Sequence, residues 1–268
     1  MSIRETLEHE NVTGIRVGRF NMGINTTFIL YKVDNTLIDT GPSNQWNTVK
    51  KFVEESKINK VILTHHHEDH SGNAAKIANL LDLTPIAPQL SQRKLTHGFK
   101  IPPVQKVIWG SSEPVQTLEY PQNISLTDYL SVHPVHVPGH AKDLHCLHVP
   151  EKGWLFTGDL YISKSVYMLR ADENLAEIVK SLQTALNLDF EIAFCAHRGI
   201  LKNGKKSLTE KLNNIVQLCE KVQTMQKKGT PLKTITRRLL GSESFVSYAS
   251  AFNFSKINLV KEAMKVPL

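Results

Sequence analysis

The spacing of apolar residues changes along the chain in a way that separates strands from helices. From Thr26 to Asp39 the run Thr26-Thr27-Phe28-Ile29-Leu30-Tyr31, the turn pair Asp34-Asn35 and the return Thr36-Leu37-Ile38-Asp39 predict a hairpin. Ser43 or Asn44 can then cap a helix reaching about Glu55, with Trp46, Val49 and Val53 on one side. Val61-Ile62-Leu63-Thr64 is a short buried strand, and Ala74, Ile77, Ala78 and Leu81 recur at helical spacing after it. Thr84–Ala87 closes this first half, and the proline-broken stretch from Leu95 to Pro121 reads as loop with short elements. Three strands follow closely, Ser131–Val137, Leu144–Val149 and Trp154–Thr157, then a helix from Glu173 to about Leu186 capped by Asp172, then a strand Ile192–Ala196. Beyond Gly204 the pattern is helical: Ser207 to about Lys228 with Leu208, Leu212, Ile215, Val216 and Leu218 as its stripe, then Leu232–Leu240 and Ser255–Met264. Strands running into helices in each half predict an α+β protein, two β-sheets face to face with helices outside. The expected division is a domain over residues 1–204 and a small C-terminal helical appendage over residues 205–268.

Composition narrows this little: 41% hydrophobic and 21% charged residues in a chain of 268 allow a sizeable core and give no disorder signature. Met1-Ser2-Ile3-Arg4-Glu5 becomes charged at once, so no signal peptide is expected, and no apolar run approaches the 20 residues that span a membrane. Cys146, Cys195 and Cys219 are too scattered for a disulfide framework, and Cys146 and Cys195 sit in apolar strand-like runs, which points to a reducing cytoplasm. Charge changes the picture more. Residues 1–197 carry 18 Lys/Arg against 21 Asp/Glu, whereas residues 198–268 carry 14 against 4, within a total of +7. Such asymmetry suits an acidic partner, with RNA as one candidate.

The chemistry is concentrated in Thr64-His65-His66-His67-Glu68-Asp69-His70-Ser71-Gly72-Asn73. His65, His67, Asp69 and His70 form a His-x-His-x-Asp-His pattern that chance would place in roughly one chain of this composition in a thousand. Imidazole and carboxylate are ligands that a borderline cation such as zinc accepts. The segment directly follows a buried strand, so its ligands would stand on a loop held by a rigid scaffold.

With three later pieces in order, the motif resembles the metallo-β-lactamase superfamily over about residues 12–200. Those pieces are His140 in Val137-Pro138-Gly139-His140, Asp159 in Thr157-Gly158-Asp159-Leu160 and His197 in Ala196-His197-Arg198-Gly199. Leu37-Ile38-Asp39-Thr40-Gly41 is also similar to that family's early Asp-Thr-Gly turn. The resemblance implies the αββα sandwich of that fold. It implies that His65, His67 and His140 hold one divalent metal, that Asp69, His70 and His197 hold a second, and that Asp159 bridges them. Zinc is the first expectation for both ions, with iron or manganese as alternatives. Asp69 and His70 are further expected to take a direct part in catalysis, and Asp39 to orient ligands from behind.

Within the superfamily, Asp159 stands where zinc β-lactamases usually lack a bridging carboxylate, which argues against antibiotic hydrolysis. His65 and His67 are both present, unlike the diiron flavoproteins. The 37 residues between Asp159 and His197 are too few for the nucleases with a large inserted domain. The remaining resemblance is to the glyoxalase II-like branch: thioesterases, lactonases and the β-lactamase-like protein 2 group of endoribonucleases. Thr230–Gly241 and Phe254–Val260 are similar to the winged-helix-like tail of that last group, while Tyr161 stands two residues after Asp159 where the lactonases place a Tyr at three. The expected activity is hydrolysis of a small ester, thioester or lactone by a metal-bridging hydroxide, with RNA phosphodiester cleavage as the alternative. A third possibility, a metal-dependent protein that binds without catalysis, is disfavoured by the complete set of seven ligands.

Overall fold

The computed structural model describes residues 4–20 and 26–268. Residues 1–3, on which part of the expectation about a signal peptide falls, lie outside the described residues.

A first sheet runs in the order β1-β2-β3-β4-β5-β6-β7. Its strands are β1 (Glu5–His9), β2 (Val12–Val17), β3 (Phe28–Val33), β4 (Thr36–Ile38), β5 (Lys60–Ile62), β6 (Ile86–Ala87) and β7 (Leu118–Glu119). Between them lie α1 (Trp46–Glu55), α2 (Glu68–Ser71), α3 (Ala74–Leu81), α4 (Gln89–His97) and α5 (Pro103–Trp109). The expected hairpin is the antiparallel pair β3–β4, in register Tyr31↔Ile38, Lys32↔Leu37 and Val33↔Thr36. The hydrophobic pattern does not announce β1 and β2. Here the outer strand alternates in exposure, Glu5 and Glu8 facing solvent, and it pairs with β2 from Glu5↔Arg16 to His9↔Val12.

The second sheet has the order β14-β13-β11-β10-β9-β8. It consists of β8 (Ile124–Ser125), β9 (Ser131–His136), β10 (His145–Val149), β11 (Trp154–Phe156), β13 (Ile192–Cys195) and β14 (Gly199–Leu201), with α6 (Leu175–Leu186) before β13. A two-stranded ribbon joins β12 (Leu169–Arg170) to β15 (Phe254–Ser255). The C-terminal helices are α7 (Gly204–Lys227), α8 (Leu232–Leu240), α9 (Phe245–Ala249) and α10 (Lys256–Ala263).

Strand alternation sorts the apolar residues into three layers. Ile29, Tyr31, Val33, Leu147, Val149, Trp154, Phe156 and Phe194 meet between the sheets. Phe28, Leu30, Val61 and Leu63 point the other way, under α1 and α3, with Val49, Val53 and Ile77. Cys146, Leu155, Ala193 and Cys195 leave the second sheet on its outer face. The result is the αββα sandwich. That outer face shares one core with Leu182 of α6, Leu208, Ile215 and Cys219 of α7, Ile235 of α8 and Leu259 of α10. Apolar residues on both sides of the expected division at 204/205 therefore bury one another.

Two expected helix caps are corrected: Ser43 and Asn44 lie in a 3-10 turn, and α1 starts after Gln45 with no side-chain cap. The helix over 175–186 is capped by Asn174, whose side chain accepts from Glu177 N at 3.0 Å, and not by Asp172. Asp172 is held two residues earlier in the chain, where both its carboxylate oxygens accept from Arg170. At the other end of the chain Ser255 caps α10 by accepting from Asn258 N.

Candidate metal centre

The site forms where chains leave the ends of strands. β5 delivers Thr64 and then the histidine segment, whose Glu68–Ser71 part is the short helix α2. His140 follows β9, Asp159 lies in the turn after β11, and His197 follows β13. A glycine precedes two of these residues for a steric reason. Gly139 has φ +128°, and a Cβ there would stand 2.6 Å from Ile178 N. Gly158 has φ +46°, and a Cβ would come within 2.9 Å of Leu144 and 3.2 Å of Thr64 Oγ1. Only glycine takes such a backbone against neighbours that close.

The structure brings all seven predicted residues together in two groups. His65, His67, His140 and Asp159 make one; Asp69, His70, Asp159 and His197 make the other. In each group one nitrogen or carboxylate oxygen per residue lies within 4.8 Å of the rest. His65 Nε2 and His140 Nε2 are 2.9 and 3.0 Å from His67 Nδ1. Asp159 reaches both groups: Oδ2 is 3.1 Å from His140 Nε2, and Oδ1 is 3.2 and 3.3 Å from the Nε2 atoms of His70 and His197. Asp69 Oδ2 is 3.5 Å from His197 Nε2.

The far nitrogen of four of these imidazoles is occupied. His70 Nδ1 meets Asp39 Oδ2 at 2.7 Å, His65 Nδ1 meets Thr64 Oγ1 at 3.1 Å, and His197 Nδ1 donates to Thr27 O at 3.0 Å. His140 Nδ1 meets Glu173 Oε1 at 2.5 Å. Such partners fix the tautomer and aim the other nitrogen inward. Asp39 also accepts from Thr64 N at 2.7 Å and from Thr64 Oγ1 at 2.9 Å, so one carboxylate braces both the start of the motif and His70. It does so at φ +57°, a left-handed backbone rare outside glycine, Asn and Asp.

Electrostatics divides the site. Burial and neighbouring imidazoles hold His65 and His67 well below the usual histidine range. Burial pulls His140 the same way, but Asp159 and Glu173 outweigh it and push the group up to about 9. Burial likewise opposes protonation of His70, and Asp39 and Asp159 outweigh it too. Burial and the Asp69 charge raise Glu68 to about 7. Five imidazoles converge on two carboxylates almost without solvent, Asp159 being only 6% exposed. Nitrogen and carboxylate donors, preoriented and buried among acidic partners, suit divalent cations such as zinc.

The other histidines have ordinary partners. His66 turns away: its N–H and Nδ1 face Asp143, which also accepts from Ser91 Oγ at 2.6 Å, while Lys94 Nζ is 2.9 Å from His66 Nε2. Burial acts to raise Asp143, yet the hydrogen bonds from His66 and Ser91 hold it well below the usual carboxylate range. His136 and His148 bond the backbone carbonyls of Lys142 and Asp189, His145 Nδ1 lies 3.0 Å from Asp143 O, and His133 pairs with Ser131. Sequence reasoning missed Glu173 and Arg170. Arg170 Nη1 lies 3.4 Å from His67 Nε2 on the rim of the site, and the guanidinium also grips Asp172.

This chain belongs to the metallo-beta-lactamase superfamily, whose family model matches residues 20–197. It is 29% identical over 214 residues to a lactamase-like protein of Pestalotiopsis microspora, covering 77% of this chain and 59% of that protein. It is 26% identical to an atrochrysone carboxyl ACP thioesterase of Passalora fulva, covering 76% and 57%. The chain thus spans less than two thirds of the length of these relatives. The fold matches that of a metallo-beta-lactamase family protein from Thermus thermophilus with a TM-score of 0.71 at 17% identity, covering 96% of this chain and 94% of that one.

Proposed function

We propose that this protein is a metal-dependent hydrolase of a small thioester or ester. The carrying observation is the pair of converging ligand groups that share Asp159. His65, His67, His140 and Asp159 would hold one divalent cation and Asp69, His70, His197 and Asp159 the other, zinc first and iron or manganese as alternatives. Bound there, the cations supply a water acidified from 15.7 toward about 7 and a Lewis acid for the carbonyl oxygen. The protein's own residues do the rest. Asp39, Thr64 and Glu173 keep the imidazoles aimed, and Asp159 offsets positive charge at the centre of the site. On this reading the Asp69 carboxylate takes the proton of the attacking water and returns it to the leaving thiolate or alkoxide as the acyl bond breaks. His70, braced by Asp39, holds that end of the site in register.

The thioesterase name of the Passalora fulva relative supports a thioester over a lactone. Three buried free cysteines fit a reducing cytoplasm. Among the described residues no helix is long and apolar enough to cross a membrane. On this reading residues 1–204 carry the reaction, and residues 205–268 are an appended helical segment sharing its core.

A second reading, cleavage of RNA, is favoured by one observation: Lys233, Thr234, Arg237 and Arg238 line an open hollow on α8. Cations along a groove provide the sequence-independent part of nucleic-acid affinity. The full chain, assayed in parallel on an S-acyl thioester, an N-acyl lactone and single-stranded RNA with and without chelator, separates the readings. Chelator-sensitive turnover of the thioester alone is the expected result. Chelator-sensitive RNA cleavage without acyl turnover replaces the first reading with the second.

A further inference from the structure

We infer that Glu173 is a positioning residue for His140, and that the C-terminal segment fixes it in place. This inference rests on the reading that the His65 group binds a divalent cation. Glu173 is a nearly buried carboxylate, its side chain 8% exposed, with both oxygens engaged. Oε1 faces His140 Nδ1 at 2.5 Å, and Oε2 accepts from Arg170 N at 2.7 Å. A carboxylate on Nδ1 keeps the proton there and leaves the Nε2 lone pair free. That nitrogen points into the group, 3.0 Å from His67 Nδ1 and 3.1 Å from Asp159 Oδ2. Asp39 holds His70 in the same manner from the other side of the site.

The placement of Glu173 depends on chain far from it in sequence. It precedes the cap of α6, and Asn174 N donates to Gly139 O at 2.9 Å, which docks the segment beside the His140 turn. On its other side, Leu169 and Arg170 pair with Ser255 and Phe254, and Ala171 N donates to Asn253 O at 2.8 Å. Asn258 Nδ2 adds a bond to Leu169 O. A hydrogen-bonded path therefore runs from β15 through Glu173 to His140.

The test is Co(II) titration of the full-length, metal-stripped protein against a chromophoric chelator, with the visible spectrum recorded. Glu173→Ala is expected to weaken one of two binding steps by about 10- to 100-fold, with an altered spectrum, and to leave the other step in place. Glu173→Gln keeps a carbonyl acceptor for Nδ1–H, so its loss should be smaller. Unchanged steps and spectrum in a folded Glu173→Ala protein overturn the inference, as would be expected if Glu173 only bonded Arg170 N. Should Glu173→Ala not fold, the shape-preserving Glu173→Gln decides by the same readout. A wild-type chain that takes up no Co(II) removes the metal reading itself, and this inference with it.

Discussion

His70 Nδ1 and Asp39 Oδ2 stand 2.7 Å apart with both side chains almost wholly removed from solvent, so the ring can turn in neither direction without losing that contact. Asp39 simultaneously holds Thr64 through its backbone and hydroxyl, and Thr64 Oγ1 lies 3.1 Å from His65 Nδ1. One carboxylate thus reaches both groups of candidate ligands.

Asp39→Ala should therefore damage metal uptake more than its distance from the converging atoms suggests. Affinity of the Asp69, His70, Asp159 and His197 group should fall about 10- to 100-fold. Asp39→Asn, which tolerates the left-handed backbone at φ +57°, should fall less. Zinc stoichiometry and competition with a chelator measure both; equal affinity in all three proteins would contradict the role.

Asp159→Asn and Asp69→Ala should differ in kind. Asp159 faces His140 on one side and His70 and His197 on the other, so its amide should weaken both sites. Asp69 touches only the second group and should empty that one alone. Elemental analysis after reconstitution should give fewer metals per chain for Asp159→Asn than for Asp69→Ala. Identical loss from both would show the division of ligands to be wrong.

The C-terminal segment carries a pH-dependent brace. Glu243 accepts from Ser247 Oγ, Lys256 N and Ile257 N. Partial burial acts to raise its pKa, and these hydrogen bonds outweigh it, so the folded value lies below the ordinary one. A depressed carboxylate contributes stability above its unfolded pKa of about 4.3, and that contribution disappears as pH falls through the folded value. Because the group is only partly buried, the contribution is screened to about 1 kcal/mol or less. Glu243→Gln should lower Tm by about 2 °C at pH 7, and the difference from wild type should close as pH drops below about 4. A gap that widens on acidification would contradict the sign.

Ile235 of α8 is fully buried in the core that also holds Leu155 and Ala193 of the second sheet. Ile235→Ala should cost about 2–5 kcal/mol and shift a single thermal transition of the whole molecule. Two resolved transitions, only one of them moved, would show that the helical segment melts by itself.

The ligands nearest one another in sequence were the most legible. Four of them fall between His65 and His70, directly after an apolar strand, and all four converge in the fold. His140, Asp159 and His197 are single residues in short turns, and only a family resemblance singles them out. Glu173 gave no signal, because its partner is 33 residues away and its neighbours Asp172 and Asn174 look equally able to cap a helix. What settles the cap is Arg170, whose guanidinium has already taken Asp172. The strand Glu5–His9 escaped for a related reason: at the sheet edge it buries too little to leave an apolar rhythm.

The β12–β15 ribbon joins residues some 85 positions apart, Leu169 to Ser255 and Arg170 to Phe254. During synthesis His140 leaves the ribosome long before its brace can be locked. At about 5–20 residues per second, the 115 residues from His140 to Ser255 take roughly 6–23 s to translate. Through that interval a nascent chain holds the His65–His70 ligands with the His140 turn still unpinned. On the proposed reading, the His140 imidazole is therefore fixed in place only after the final strand has paired.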